Sequence, residues 1–135
     1  MLKIIDVHAS DSPGGEYVVL QNEGLTTVNL RGWALCTQRY LAGDAHGAAD
    51  ETYIFTDDIL IKPFVRVVLF TGCGERGWCP TNDGKTAYLL FWNRPYTVWS
   101  HASQVHLLHI AATRRVVTPS DRARPEQVAA AAAIQ

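Results

Sequence analysis

The run Cys79-Pro80-Thr81-Asn82-Asp83-Gly84-Lys85-Thr86 ends in the Gly-Lys-Thr with which a P-loop cradles phosphate. That motif needs a glycine where Cys79 stands, and a helix after Thr86 whose N-terminus faces the anion. The chain instead continues Ala-Tyr-Leu-Leu-Phe-Trp, a strand pattern. Asn82-Asp83-Gly84 therefore reads as a turn with Gly84 at positive φ. His8, His46, His101, His106 and His109 are scattered. His106 and His109 fall on opposite faces of a strand, so the two do not chelate one metal. Asp44, Asp50, Glu51, Asp57 and Asp58 crowd one region and offer oxygens to calcium. They lack the one-three-five spacing with central glycine and closing glutamate, and read as a solvated acidic loop. There is no GxSxG or HExxH and no other nucleophile–base spacing. No catalytic residue, cofactor or metal is expected.

Other residues suit binding. Trp33, Trp92 and Trp99 sit in alternating apolar segments and read as packing, as do Val18, Leu20, Leu30 and Leu35. Trp78 lies between Gly77 and Cys79 in what reads as a polar loop, the place of an interface anchor. Arg114, Arg115, Arg122 and Arg124 form a basic stretch. They suit a charged edge strand or, as the alternative function, contact with nucleic-acid phosphates. Cys36, Cys73 and Cys79 are too few for a disulfide framework. Cys73 and Cys79 close a short loop that an oxidising compartment would let them bridge. Three free thiols, two of them buried, is the favoured reading.

The elements that position these residues are mostly of period two. Strands are expected at 2–8, 16–21, 27–30, 33–36, 53–55, 66–71, 86–92, 97–99, 104–110 and 114–118, some of them fused across bends. Gly32 marks such a bend, and loops are expected at 40–51 and 72–85. No segment before Pro119 has amphipathic helical spacing. Eight or nine strands with turns between them imply an all-β antiparallel sandwich over 1–118. The tail, 119–135, carries Ser120, Asp121, Pro125-Glu126 and five consecutive alanines, the start signal and composition of a short helix. The 135 residues make one domain. No stretch reaches the length of a membrane helix and no leader is recognisable, so a soluble chain without membrane insertion is expected. A net charge of −1 excludes binding that relies on overall positive charge. Residues 1–58 carry −6 and residues 59–135 carry +5, a polarity concentrated in the acids of 44–58 and the bases of 114–124.

Glu16-Tyr17-Val18-Val19-Leu20-Gln21-Asn22, then Val28-Asn29-Leu30-Arg31-Gly32-Trp33-Ala34-Leu35, resembles the opening of the lamin tail domain. That family has an E-Y-V strand ending in Asn, then V-x-L-x-G-W-x-L. Tyr53-Ile54-Phe55, the Lys62-Pro63 turn and 67–72 resemble its Y-x-F, proline turn and V-x-V-x-T-G. Residues 90–99, Leu-Phe-Trp-Asn-Arg-Pro-Tyr-Thr-Val-Trp, resemble the L-Y-W-G-R-x-x-A-V-W of bacterial members. Ser103-Gln104 replaces a common Gly-Asp, and Asn93 stands where many members have glycine. The match covers 2–117. It implies an immunoglobulin-like sandwich without catalytic residues, serving as a structural or interaction module. On that basis we expect a decoration or accessory subunit of a virion, tail or cell envelope. It would bind another protein or assemble with its own copies.

Overall fold

Residues 16–22 show how alternation builds the sheet. Glu16, Val18, Leu20 and Asn22 are all fully buried, while Tyr17, Val19 and Gln21 face outward and are partly covered. The computed structural model describes residues 1–43 and 48–110. Its strands are β1 (Leu2–His8), β2 (Tyr17–Asn22), β3 (Val28–Asn29), β4 (Trp33–Thr37), β5 (Thr52–Ile54), β6 (Leu60–Ile61), β7 (Arg66–Phe70), β8 (Gly77–Pro80), β9 (Thr86–Phe91) and β10 (Val105–His109). One α-helical turn, α1 (Gln38–Leu41), follows β4 where Thr37 Oγ1 caps the Tyr40 amide at 3.3 Å. The expected strand at 114–118 and helix at 119–135 lie outside the described residues.

The strands form an all-β fold in three sheets, ordered β1-β2-β7-β9-β8, β10-β4-β5 and β3-β6. Their inward side chains meet in one cluster. Val18, Leu20, Val67, Leu69, Tyr88 and Leu90 from the five-stranded sheet join Leu30, Leu35, Phe55, Ile61 and Trp99. Trp33 and Trp92 pack against this cluster partly buried, Trp33 stacked on His109 at 4.1 Å and Trp92 on Trp99 at 5.4 Å. Gly32 has φ 93°, which lets the chain bend between β3 and β4 as the sequence suggests. On the outer face of the large sheet, His8, Tyr17, Phe70 and Phe91 stand in register across four strands. Their ring centroids are 4.6, 5.4 and 5.0 Å apart, an aromatic row of the kind that stabilises cross-strand pairing.

Four features differ from the sequence reading. The pair β7–β9 is parallel, because β8 lies beyond a one-strand gap and β9 returns into it. The stretch 72–85 is not all loop, since 77–80 form β8. Residues 97–99 are not a strand: Val98 turns to φ −119°, ψ −51° and a 3₁₀ turn, Trp99–His101, follows. Only Cys36 is buried, with Cys73 exposed, Cys79 intermediate and all three unpaired.

A buried carboxylate accounts for the turn at 97–101. Glu16 Oε1 accepts from Thr71 Oγ1 at 2.5 Å and Val98 N–H at 2.9 Å. Glu16 Oε2 accepts from Ser100 N–H at 2.7 Å and Ser100 Oγ at 2.5 Å. Burial raises the pKa of this carboxyl, but the donors Ser100, Thr71 and Val98 outweigh it and hold the group below its ordinary value. Gly72 packs so close to the chain at Gly14 that a Cβ would sit 2.9 Å from the Gly14 nitrogen. At the other end of β2, buried Asn22 is equally satisfied. Its Nδ2 donates to Thr26 O and Ile61 O at 2.8 and 2.9 Å, and its Oδ1 accepts from Met1 N and Gly24 N at 3.0 Å.

Candidate interaction surface

Trp78 sits on β8, the edge strand of the large sheet, rather than in a loop. It pairs with Tyr88 and rests on that ring edge-on at 5.2 Å, remaining 50% exposed. Tyr88 is fixed in turn: its hydroxyl donates to Asp57 Oδ2 at 2.8 Å, while Arg76 Nη1 donates to Asp57 Oδ1 at 2.8 Å. Burial, the hydrogen bond to Asp57 and the charge of Asp57 push the Tyr88 phenol up to about 12. The polar knot of Asp57, Tyr88 and Arg76 thus holds the segment before β6 against β9, and Leu60 of β6 comes to lie beside Trp78.

Leu60, Lys62, Val65, Trp78 and Thr86 line a cleft of about 220 Å³. A second cleft of about 410 Å³, which shares Val65 and Thr86, is lined by Pro63, Phe64, Arg66, Thr81, Asp83 and Lys85 with Gln21. The floor of the second is the β8–β9 hairpin loop, where Gly84 has φ 80° and Thr81 N–H donates to Lys85 O at 2.7 Å. Thr86 starts a strand, so the Gly-Lys-Thr run is a hairpin and has no helix behind it.

Phe64 is the unusual residue. Val65 N–H donates to Lys62 O at 3.1 Å, closing a turn with Pro63 second and Phe64 third. Phe64 has φ 65°, the left-handed conformation that the third position of a type II turn requires and that glycine or asparagine normally fills. Phe64 N–H donates to Asn22 O at 2.6 Å and Gln21 Nε2 donates to Phe64 O at 3.2 Å, so the surroundings over-determine the geometry. A bulky residue there costs on the order of 1–3 kcal/mol. The residue is nevertheless 51% exposed and has no place in the core cluster. Leu60, at 63%, and Trp78 complete an exposed apolar face. Sequence reasoning found Trp78 but missed Phe64 and Leu60. The available signal was a proline followed by an aromatic where turn chemistry asks for glycine.

The other candidates are dispersed. Val18, Leu20, Leu30 and Leu35 are fully buried and Trp99 is 2% exposed, while Trp33 and Trp92 of the same expected core set are partly buried. Arg114, Arg115, Arg122 and Arg124 lie outside the described residues, as do Asp44 and His46. The acids at 50–58 are not a uniformly solvated loop. Glu51 pairs with Arg39 at 3.0 Å and accepts from Thr37, Asp57 is held as above, and Asp58 accepts from Asn29. Among the described residues, no group of three or more His, Cys, Asp or Glu is placed to hold a metal ion. His106 meets Gln38 at 2.7 Å while His109 lies on Trp33, so the two serve separate contacts. No helix among the described residues is long and apolar enough to cross a membrane. No family model matches the chain, and no curated protein matches it.

Proposed function

We propose that this chain is a lamin-tail-like domain of immunoglobulin type that works as a non-enzymatic protein-interaction module, an accessory or decoration subunit of a larger assembly. The observation that carries the interaction reading is Phe64, an aromatic kept exposed in a strained conformation on a cleft that shares Val65 and Thr86 with the cleft of exposed Trp78 and Leu60. Strain is retained where the side chain has work to do that glycine would forfeit. Exposed aromatics on a rigid sheet edge are the residues that dominate protein interfaces.

The family part of the reading is supported by the motif residues themselves. Glu16 of the E-Y-V strand, Thr71 of the T-G pair and Ser100 after the final tryptophan converge on one buried carboxylate, and Asn22 closes the same strand. Asn93, where many members have glycine, has φ 60°, a conformation that glycine favours and asparagine tolerates.

The test is site-specific photo-crosslinking in the cells the chain comes from. A photoreactive phenylalanine at position 78 is expected to yield a discrete adduct, and the same group at exposed Asp11 none. Phe64→Gly should abolish the adduct while leaving the fold intact, with a net gain of up to about 2 kcal/mol, the released strain of about 1–3 kcal/mol less the roughly 0.5–1 kcal/mol of backbone entropy that glycine costs. No adduct from position 78, or one indifferent to Phe64→Gly, overturns the interaction reading.

A further inference from the structure

The charges around the two clefts point to the partner. Lys62, Arg66 and Lys85 are exposed and line them, and none makes an ion pair among the described residues. Among the described residues lining the clefts the one acid is Asp83, which accepts from the Thr81 hydroxyl and from Lys85 N–H at 3.2 Å and faces the Lys85 charge. Two ion pairs lie outside this face, Arg39 with Glu51 and Arg76 with Asp57. Three cations against one carboxylate leave this apolar face with an excess of positive charge on a chain whose net charge is −1. Such a face repels basic partners and steers acidic ones into contact, while the aromatics supply the buried area.

Resting on the interaction reading above, we infer that the occupant of this face is an acidic segment of another protein bearing bulky apolar side chains. One such side chain enters between Trp78 and Leu60 and a second covers Phe64 and Pro63. Flanking carboxylates meet Lys62, Arg66 and Lys85. Val65 and Thr86, common to both clefts, make the track continuous.

The probes are three synthetic ten-residue peptides with Phe and Leu at fixed positions, the other positions being Glu/Asp, Ser or Lys. Each is titrated into the ¹⁵N-labelled full chain. The acidic peptide is expected to shift the amides of Leu60, Val65, Trp78 and Thr86. Its affinity should fall about tenfold between low and moderate salt, and about tenfold again in the Lys62→Glu/Lys85→Glu variant. Both substitutions are at exposed sites, so the melting temperature should hold. Equal binding by the serine peptide overturns the acidic partner but leaves the interaction surface standing. So does concentration-dependent broadening of these same amides in the free chain, which would make a second copy the occupant. Tighter binding of a DNA duplex at these amides overturns it in favour of nucleic acid. Shifts confined to other strands, or none with any probe or on self-titration, remove the docking face together with its partner.

Discussion

Replacing Glu16 by glutamine tests the reasoning about the buried carboxylate at the level of single hydrogen bonds. The amide keeps the size of the side chain and one of its two oxygens. With that oxygen toward Thr71 Oγ1 and Val98 N–H, the new NH₂ faces Ser100 N–H, donor against donor. The Ser100 hydroxyl can rotate to accept, but the backbone N–H cannot. One orphaned buried donor costs about 1–3 kcal/mol, and the loss of charge assistance from the remaining bonds adds to it. A total of about 2–4 kcal/mol corresponds to a fall in Tm of about 8–16 °C for a domain of this size. Glu16→Ala strands all four donors and should cost more. The pH dependence has a definite sign. Because the folded pKa lies below the ordinary 4.5, the contribution of Glu16 is complete above the unfolded value and is lost as pH falls through the folded one. Urea unfolding should therefore show a constant gap between parent and Glu16→Gln near neutral pH, narrowing below about pH 4.5. A gap under about 0.5 kcal/mol at pH 7, or one unchanged down to pH 3, would refute the assignment of these bonds as the source of stability.

Two further outcomes probe the packing. Gly72→Ala should lower stability by about 1–3 kcal/mol in thermal melts, because its Cβ would press on backbone atoms 2.9 and 3.0 Å away at Gly14, while Gly14→Ala, which meets nothing within 4 Å, should be nearly neutral. A colorimetric thiol reagent at pH 8 should titrate Cys73 and Cys79 in the native chain. Cys36, fully buried with its thiol pushed up to about 11 by desolvation, should react only after unfolding.

Much of the fold is legible in the chain because alternation is a local signal. Val18, Leu20, Val67 and Leu69 sit on the inward beat of their strands, and each is buried where the pattern puts it. Gly84 and Gly32 take the positive φ that their turns imply. What escaped was decided at long range. Gly-Trp-Cys-Pro has little strand propensity, and it becomes β8 only because β9 lies beside it. Thr97-Val98-Trp99 has strand composition, yet the carboxylate of Glu16, some eighty residues earlier, captures the Val98 and Ser100 amides and turns the chain. Of the candidate interaction residues, Trp78 is recognisable by its setting. Phe64 is not, since its meaning lies in a dihedral angle that residue type alone does not reveal.

The reach of Glu16 bears on how the molecule is made. Its partners at Thr71, Val98 and Ser100 lie 55, 82 and 84 residues downstream. A nascent chain synthesised only as far as β9 holds the Glu16 charge against an apolar interior with most of its donors still to come. The domain is therefore a late finisher on the ribosome, and the last native contacts wait for the segment after Pro95. A chain stalled or cut before Ser100 should be left open and recognisable to quality control, whereas one that extends through β10 can close in a single cooperative step.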